Sequence, residues 1–478
     1  MTKPPTTPAA TGLLNSKIFK NFSYLTVGSG LAQVISFVTV LKVTALLVPA
    51  EYGLFTFLTA QGLLLISVGD LGIRNIVIRR IARDKNETND LVYNGILLRA
   101  LALLVLAGIY IGYNAAFGSL SVSQLGLVFA FSLVNCFSNL FENAFLGHER
   151  MLPPAVVSIV HSMLWLAAVF TLPIEYMNPT WLFAIYLGLH AVKGGILYGY
   201  LVHYRLLRGR VHHFWASSRG LLQESWPYFL VLLVMLPFTR LANNFLDVNS
   251  TEDELGYFNL AQKLIGPISL VLDVALVAVF PNISALWVTD RKRLTRLVGH
   301  GFRYFMLIGL VLCFGFTLFV RDLVSLLFKP EYLPAVLVCQ LQIWYLYLTS
   351  IDSCVGTILG ATDNEKKILR LAIVNSLVAT PLLFFGSTYG AVGLAAAYAL
   401  SFALFQFYLW YVFRTTLRIR VQGAGMMWVL SAALFGISLG ADRLTGAAAL
   451  GTKVALAAVV TGGAGCYFMR TYSKTVAP

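Results

Sequence analysis

Long apolar stretches separated by short polar breaks run the length of the chain, and stretch length decides the first reading. A helix rises about 1.5 Å per residue, and a bilayer core is about 30 Å thick, so about 20 apolar residues cross it. Fourteen stretches fit this rule, at 22–48, 53–80, 91–113, 120–147, 152–173, 180–206, 224–247, 255–288, 298–320, 333–360, 366–387, 390–413, 423–441 and 446–469. The 53–80 and 255–288 stretches exceed one crossing, which predicts tilted, kinked or extended helices. Backbone in hydrocarbon must satisfy its own hydrogen bonds, so the pattern predicts an all-α polytopic membrane protein.

Composition sharpens this. The chain is 58% hydrophobic and only 12% charged, where a soluble chain carries about a quarter charged residues. The first apolar stretch is too long for a signal-peptide core, so no cleavable signal is expected, and residues 1–16 read as a polar tail. Cys136, Cys313, Cys339, Cys354 and Cys466 all fall in apolar stretches without metal-ligand spacing. They are expected to be small buried residues, with no metal site.

The net charge of +14 changes meaning once it is placed along the chain. Of the 35 lysines and arginines, 25 lie on one side, at or beyond the ends of the stretches, against Arg321, Lys329 and Arg443 on the other. That asymmetry is a topology signal placing both termini in the cytoplasm. It also accounts for the basic runs RRIARDK (79–85) and DRKRLTR (290–296) without any nucleic-acid partner.

An internal repeat divides the chain. EYGLFTFLTAQGLLLISVGD (51–70) aligns with ELGYFNLAQKLIGPISLVLD (254–273), pairing Gly53 with Gly256 and Asp70 with Asp273. AFLGHERM (144–151) likewise resembles TILGATDNEKK (357–367). The expected organisation is a polar tail (1–16), a six-helix lobe (17–207), a basic inter-lobe loop (208–219), a second six-helix lobe (220–415), two additional helices (416–470) and a cytoplasmic tail (471–478). An even span number makes the lobes parallel, related by an axis along the membrane normal. Two pseudo-symmetric lobes around a central cavity is an alternating-access architecture.

Charges inside apolar stretches are costly and point to function. Arg240 lies 14 residues past Trp226, about 21 Å along a helix, and Lys193 lies 13 past Thr180, about 20 Å. Lys263 and Asp273 share a stretch and fall within about 80° on one helix face, with Pro267 between them predicting a kink. Arg240, Lys263 and Lys193, with Asn243, Asn244 and Arg74, are the candidate substrate-binding residues. Asp70, Asp273 and Asp352 are the candidates for charge pairing or ion coupling. Asp70 and Arg74, four apart, are expected to pair, and neutralisation of Arg240 or Lys263 by Asp273 is the competing structural reading. Lys42, Arg99 and Lys453 are expected to snorkel, and Glu142 is a weaker coupling candidate. His161 and His190 read as hydrogen-bonded packing residues. The deep charges tip cationic, which suits an anionic head group, and a guanidinium suits phosphate by bidentate hydrogen bonding.

LVPAEYGLFTFL, GDLGIRNIVIRRIA, GHERM and YGAVGLAAAYALS (389–401), in this order, resemble the polysaccharide-flippase branch of the multidrug/oligosaccharidyl-lipid/polysaccharide exporter superfamily. The similarity runs over most of 20–415. It implies flipping of a polyprenyl-diphosphate-linked oligosaccharide from the cytoplasmic to the outer leaflet of a bacterial cytoplasmic membrane, for cell-surface polysaccharide assembly. The implied partners are that glycan lipid, the bilayer and polysaccharide polymerase machinery. No cofactor is implied, and coupling to the membrane potential, sodium or protons stays open. Resemblance to lipid II flippases suggests an apolar groove for a lipid tail in the last two spans.

A cation- or proton-coupled multidrug exporter of the same superfamily is the alternative, expected to carry deep carboxylates in its first lobe. An integral-membrane glycosyl- or acyltransferase is remote. No GxSxG, HExxH or P-loop fingerprint appears, and His212-His213 has no carboxylate cluster beside it. No catalytic residue is assigned.

Overall fold

Apolar stretches of this length close their hydrogen bonds within themselves, and the computed structural model is helical accordingly. It describes residues 17–207, 214–362, 364–417, 424–442 and 447–476. The tail 1–16 and residues 208–213 of the basic loop, with Arg208 and Arg210, lie outside the described residues. The described α-helices are α1 (Lys17–Leu46), α2 (Pro49–Gly69), α3 (Ile73–Arg83), α4 (Thr88–Phe117), α5 (Val122–Gly147), α6 (Leu152–Thr171), α7 (Pro179–His203) and α8 (Phe214–Thr239). They continue with α9 (Ala242–Asn249), α10 (Glu252–Thr289), α11 (Arg291–Leu327), α12 (Ala335–Gly360), α13 (Glu365–Ser387), α14 (Gly390–Leu417), α15 (Ala424–Asp442) and α16 (Ala447–Val476). Among the described residues, eleven helices are long and apolar enough to cross a membrane.

Two expected spans are broken helices. The 53–80 stretch stops at Asp70, turns through Leu71 (φ 52°) and Gly72 (φ 70°), and resumes as α3. Gly72 is needed twice, for its left-handed backbone and for space, since a Cβ there would stand 2.7 Å from the Phe229 nitrogen on α8. The Asp70 carboxylate accepts the Arg74 backbone N–H at 3.3 Å, closing the new helix start. The 224–247 stretch breaks at Arg240–Leu241 into α8 and α9. By contrast, α10 runs without a break through Pro267.

Packing divides the chain into two compact units: Met1–Leu46 with Phe57–Leu233, and Leu47–Thr56 with Val234–Pro478. In the first unit α6 lies along α1, and α5 packs against α3, α4 and α7. α3 is amphipathic, burying Ile73, Ile76, Val77 and Ile81 at helical spacing into a core with Leu140, Phe145, Leu197 and Leu201. Its outer arginines have a partner the sequence reading did not assign. Arg79 and Arg80 reach Glu224 of α8 at 2.7 and 2.5 Å.

In the second unit α10, α11 and α14 surround α12, while α15 and α16 lie against α11. Tyr332 anchors residues 47–56 here. Its hydroxyl donates to the Leu47 carbonyl at 3.2 Å, and its ring meets Tyr52 edge-on at 6.3 Å.

Candidate functional site

The break after α8 presents the charge that the sequence singled out. Arg240 closes α8, its backbone N–H donating to the Leu236 carbonyl at 2.9 Å, and its side chain is exposed. α9 then packs on α10 and α13 through amides, with Asn259 donating to Asn243 at 2.6 Å and Asn249 to Ser387 at 2.8 Å. Arg240 lies three positions before Asn243, and Lys263 lies one turn along α10 from Asn259. The amide pair therefore ties α9, which starts two positions after Arg240, to α10, which carries Lys263.

Lys263 is also exposed, and among the described residues neither it nor Arg240 forms an ion pair. The competing reading, in which Asp273 neutralises them, is not what the structure shows. Asp273 accepts the Ser269 hydroxyl, one turn away on its own helix, at 3.2 Å. Asn243 and Asn244 are buried, and Asn243 is committed to Asn259. Asp352 on α12 has no ion-pair partner among the described residues.

The candidates in the first unit are arranged differently. Lys193 on α7 meets Glu142 on α5 at 2.8 Å, so its charge is matched. Arg74 is exposed, and the expected Asp70–Arg74 side-chain pair does not form. Asp70 instead pairs with Arg99, whose second amino group donates to the Cys136 carbonyl at 2.6 Å. Arg99 is fully buried rather than snorkelling, and so is Lys453, which meets Asp322 at 2.7 Å. Four cysteines are buried as expected, but Cys466 is exposed. Each of these partners sits on another helix, so no spacing within one stretch signals it. Lys42, in contrast, lies over the Phe170 ring at 5.2 Å, near the ends of α1 and α6.

Among the described residues, no group of three or more His, Cys, Asp or Glu side chains could hold a metal. The site thus offers exposed, unmatched cations in an apolar helical frame. Such an arrangement can hold an anion by charge and hydrogen bonding.

Comparison with known proteins agrees with this frame. Lipid II flippase MurJ, in an inward closed conformation, superposes with a TM-score of 0.72 at 15% identity, covering 94% of this chain and 99% of its own. An inward-facing multidrug resistance MATE family transporter gives 0.60 at 14% identity, covering 81% and 95%. A MOP superfamily transporter from Pyrococcus furiosus gives 0.56 at 14% identity, covering 87% and 100%. No curated protein matches the chain. The profile of the family described as Polysaccharide biosynthesis protein matches residues 18–287. The chain therefore belongs to the family described as Polysaccharide biosynthesis protein.

Proposed function

We propose that this protein is an alternating-access flippase. It would move a polyprenyl-diphosphate-linked oligosaccharide from the cytoplasmic to the outer leaflet of a bacterial cytoplasmic membrane, with both termini cytoplasmic and lobes at 17–207 and 220–415. The observation that carries this reading is that two exposed cations lying within apolar stretches of the second unit, Arg240 and Lys263, have no ion-pair partner among the described residues. Charges held there without counter-charge are unfavourable unless a ligand supplies it. A diphosphate does, and a guanidinium meets two of its oxygens at once. Asp273 is engaged with Ser269 and does not compete. An inside-negative potential favours outward movement of two negative charges by about 4.6 kcal/mol per 100 mV, at about 2.3 kcal/mol per charge. Polysaccharide polymerase machinery would receive the product.

Asp352, a carboxylate without an ion-pair partner on α12, favours a second reading, a cation-coupled small-molecule exporter. One experiment separates the two. Proteoliposomes are loaded with a short-chain polyprenyl-diphosphate sugar or with a cationic dye, and wild type is compared with Arg240→Ala and Arg240→Lys. Flipping of the lipid by wild type, loss in Arg240→Ala and partial recovery in Arg240→Lys support the flippase. Gradient-driven export of the dye without lipid flipping overturns it.

A further inference from the structure

The first unit contains a cluster of titratable side chains that the substrate reading does not use. Tyr186, His190 and Lys193 follow at spacings of four and three on α7, forming one column along the helix. α6 contributes His161 and Trp165, one turn apart, and α5 contributes Phe131 and Glu142. The two imidazoles touch, with centroids 4.3 Å apart. His190 also stands edge-on to Tyr186 at 4.5 Å and to Phe131 at 5.1 Å. Trp165 lies against Tyr186 at 5.0 Å. Next along α7 comes the Lys193–Glu142 ion pair.

The expectation that these histidines are hydrogen-bonded packing residues fails. Both ring nitrogens of His190, and Nε2 of His161, are buried without a hydrogen-bond partner among the described residues. A neutral imidazole carries one donor and one acceptor, and leaving them unpaired away from water is unfavourable. If packing were the only purpose, Phe would fill the same aromatic column without that cost. Among the described residues the pair lacks the further ligands a metal would need.

We propose that His161 and His190 form a binding site for a single proton, with Lys193 and Glu142 setting its charge balance. In the neutral state Lys193 and Glu142 cancel. Uptake forms an N–H bond on one ring as an O–H bond of hydronium breaks and water leaves, bringing the cluster to a charge of +1. A second proton would place two imidazolium rings in contact, and like charges at that distance oppose it. The groups facing the pair are Tyr186 and Lys193 from α7, and Lys193 is in turn held by Glu142 from α5. α1, the other neighbour of α6, brings Lys42, which is held over Phe170. Arg99, on the far side of α5, is turned to Asp70. That the proton drives transport rests on the flippase reading; that it binds does not.

The test is a titration of the full chain in nanodiscs, with histidine-selective isotope labels read by NMR through the range where imidazole protonates. His161 and His190 are expected to titrate together, sharing one proton. His190→Gln, and His161→Phe as a variant that keeps the ring packing, are each expected to shift the midpoint of the remaining histidine. Glu142→Gln is expected to shift both. Rings that stay neutral throughout, or that titrate independently, overturn the proposal. In proteoliposomes an imposed pH gradient is expected to speed movement of the polyprenyl-diphosphate probe, and His190→Gln to return it to the gradient-free rate. An unaltered gradient response in His190→Gln overturns the driving role. A shared titration in a wild type that moves no probe leaves the proton site standing and sinks the flippase reading.

Discussion

Gly53 and Gly256, separated by 203 positions and matched in the internal repeat, face each other across the first turns of α2 and α10. A Cβ on Gly53 would overlap the Glu252 carbonyl and stand 2.8 Å from the Gly256 nitrogen; one on Gly256 would overlap the Pro49 carbonyl. Backbone meets backbone here, so no flexible side chain can move aside. Gly53→Ala and Gly256→Ala are each expected to destabilise by about 1–3 kcal/mol, the usual range for overpacking. The double variant should cost less than the two together, because helices already parted by one methyl accommodate the second. Thermal unfolding in detergent checks this, and additive effects would show that the two helices yield independently.

Arg99 and Asp70 form a pair whose members differ in exposure, with side chains 1% and 20% accessible. Removing the carboxylate strands a fully buried guanidinium, whereas removing the guanidinium leaves a carboxylate that retains some water. Asp70→Ala is expected to cost about 3–5 kcal/mol, and Arg99→Met, which keeps the apolar stem, distinctly less. Asp70→Asn should fall between them, since it retains an acceptor for Arg99. Equal losses for Asp70→Ala and Arg99→Met would mean that Arg99 contributes packing and little charge.

These pairs show where sequence reading works and where it stops. The hydrocarbon core imposes one length rule on every crossing, so the helical fold was legible from apolar runs alone. The Gly53–Gly256 correspondence was also legible, because a repeat shows its anchors as letters at a fixed offset. Partner choice among charges was not. Arg99 and Asp70 lie 29 positions apart, and Lys453 and Asp322 lie 131 apart, on different helices. Their meeting depends on how each helix is rotated about its axis, and helices that are apolar on nearly every face carry little periodicity to fix that rotation. Arg240 and Lys263 were legible as charges within apolar stretches, but that Asp273 leaves them unmatched was not. The breaks at Gly72 and Leu241 were hidden because leucine and glycine continue the apolar run in composition while interrupting it in conformation.

His148, in the turn between α5 and α6, predicts an acid-sensitive contact. Its Nε2 shares a hydrogen bond with the Thr88 hydroxyl at 2.8 Å. Burial first, then Lys85 and Arg150, disfavour its charged form and lower its pKa below the usual histidine value. A pKa lowered on folding means that the neutral ring contributes stability above the unfolded value of about 6.5. That contribution is lost as pH falls below about 6.5 towards the folded value. Wild type should therefore lose stability on acidification more steeply than His148→Asn, with the two curves parallel above neutrality. Parallel curves throughout would mean that the ring becomes charged in place without loosening the turn.

Lys453 holds α16 to the second unit, and the asymmetry of its pair gives a test. The lysine side chain is 3% accessible and the Asp322 side chain 50%, with 2.7 Å between Nζ and the carboxylate. A lysine at the membrane edge would have reached for water; this one is turned inward onto α11, so the pair fixes α16 rather than merely ending it. Arg303 and Tyr467 add a second tie between the same helices at 3.1 Å. Asp322→Asn strands the buried ammonium and is expected to destabilise more than Lys453→Met, which removes charge and keeps volume. The charge swap Asp322→Lys with Lys453→Asp is expected to recover part of the loss from either single charge reversal, a coupling that thermal unfolding of the four proteins resolves. Strict additivity in that cycle would show that apolar packing, not the ion pair, holds α16 in place.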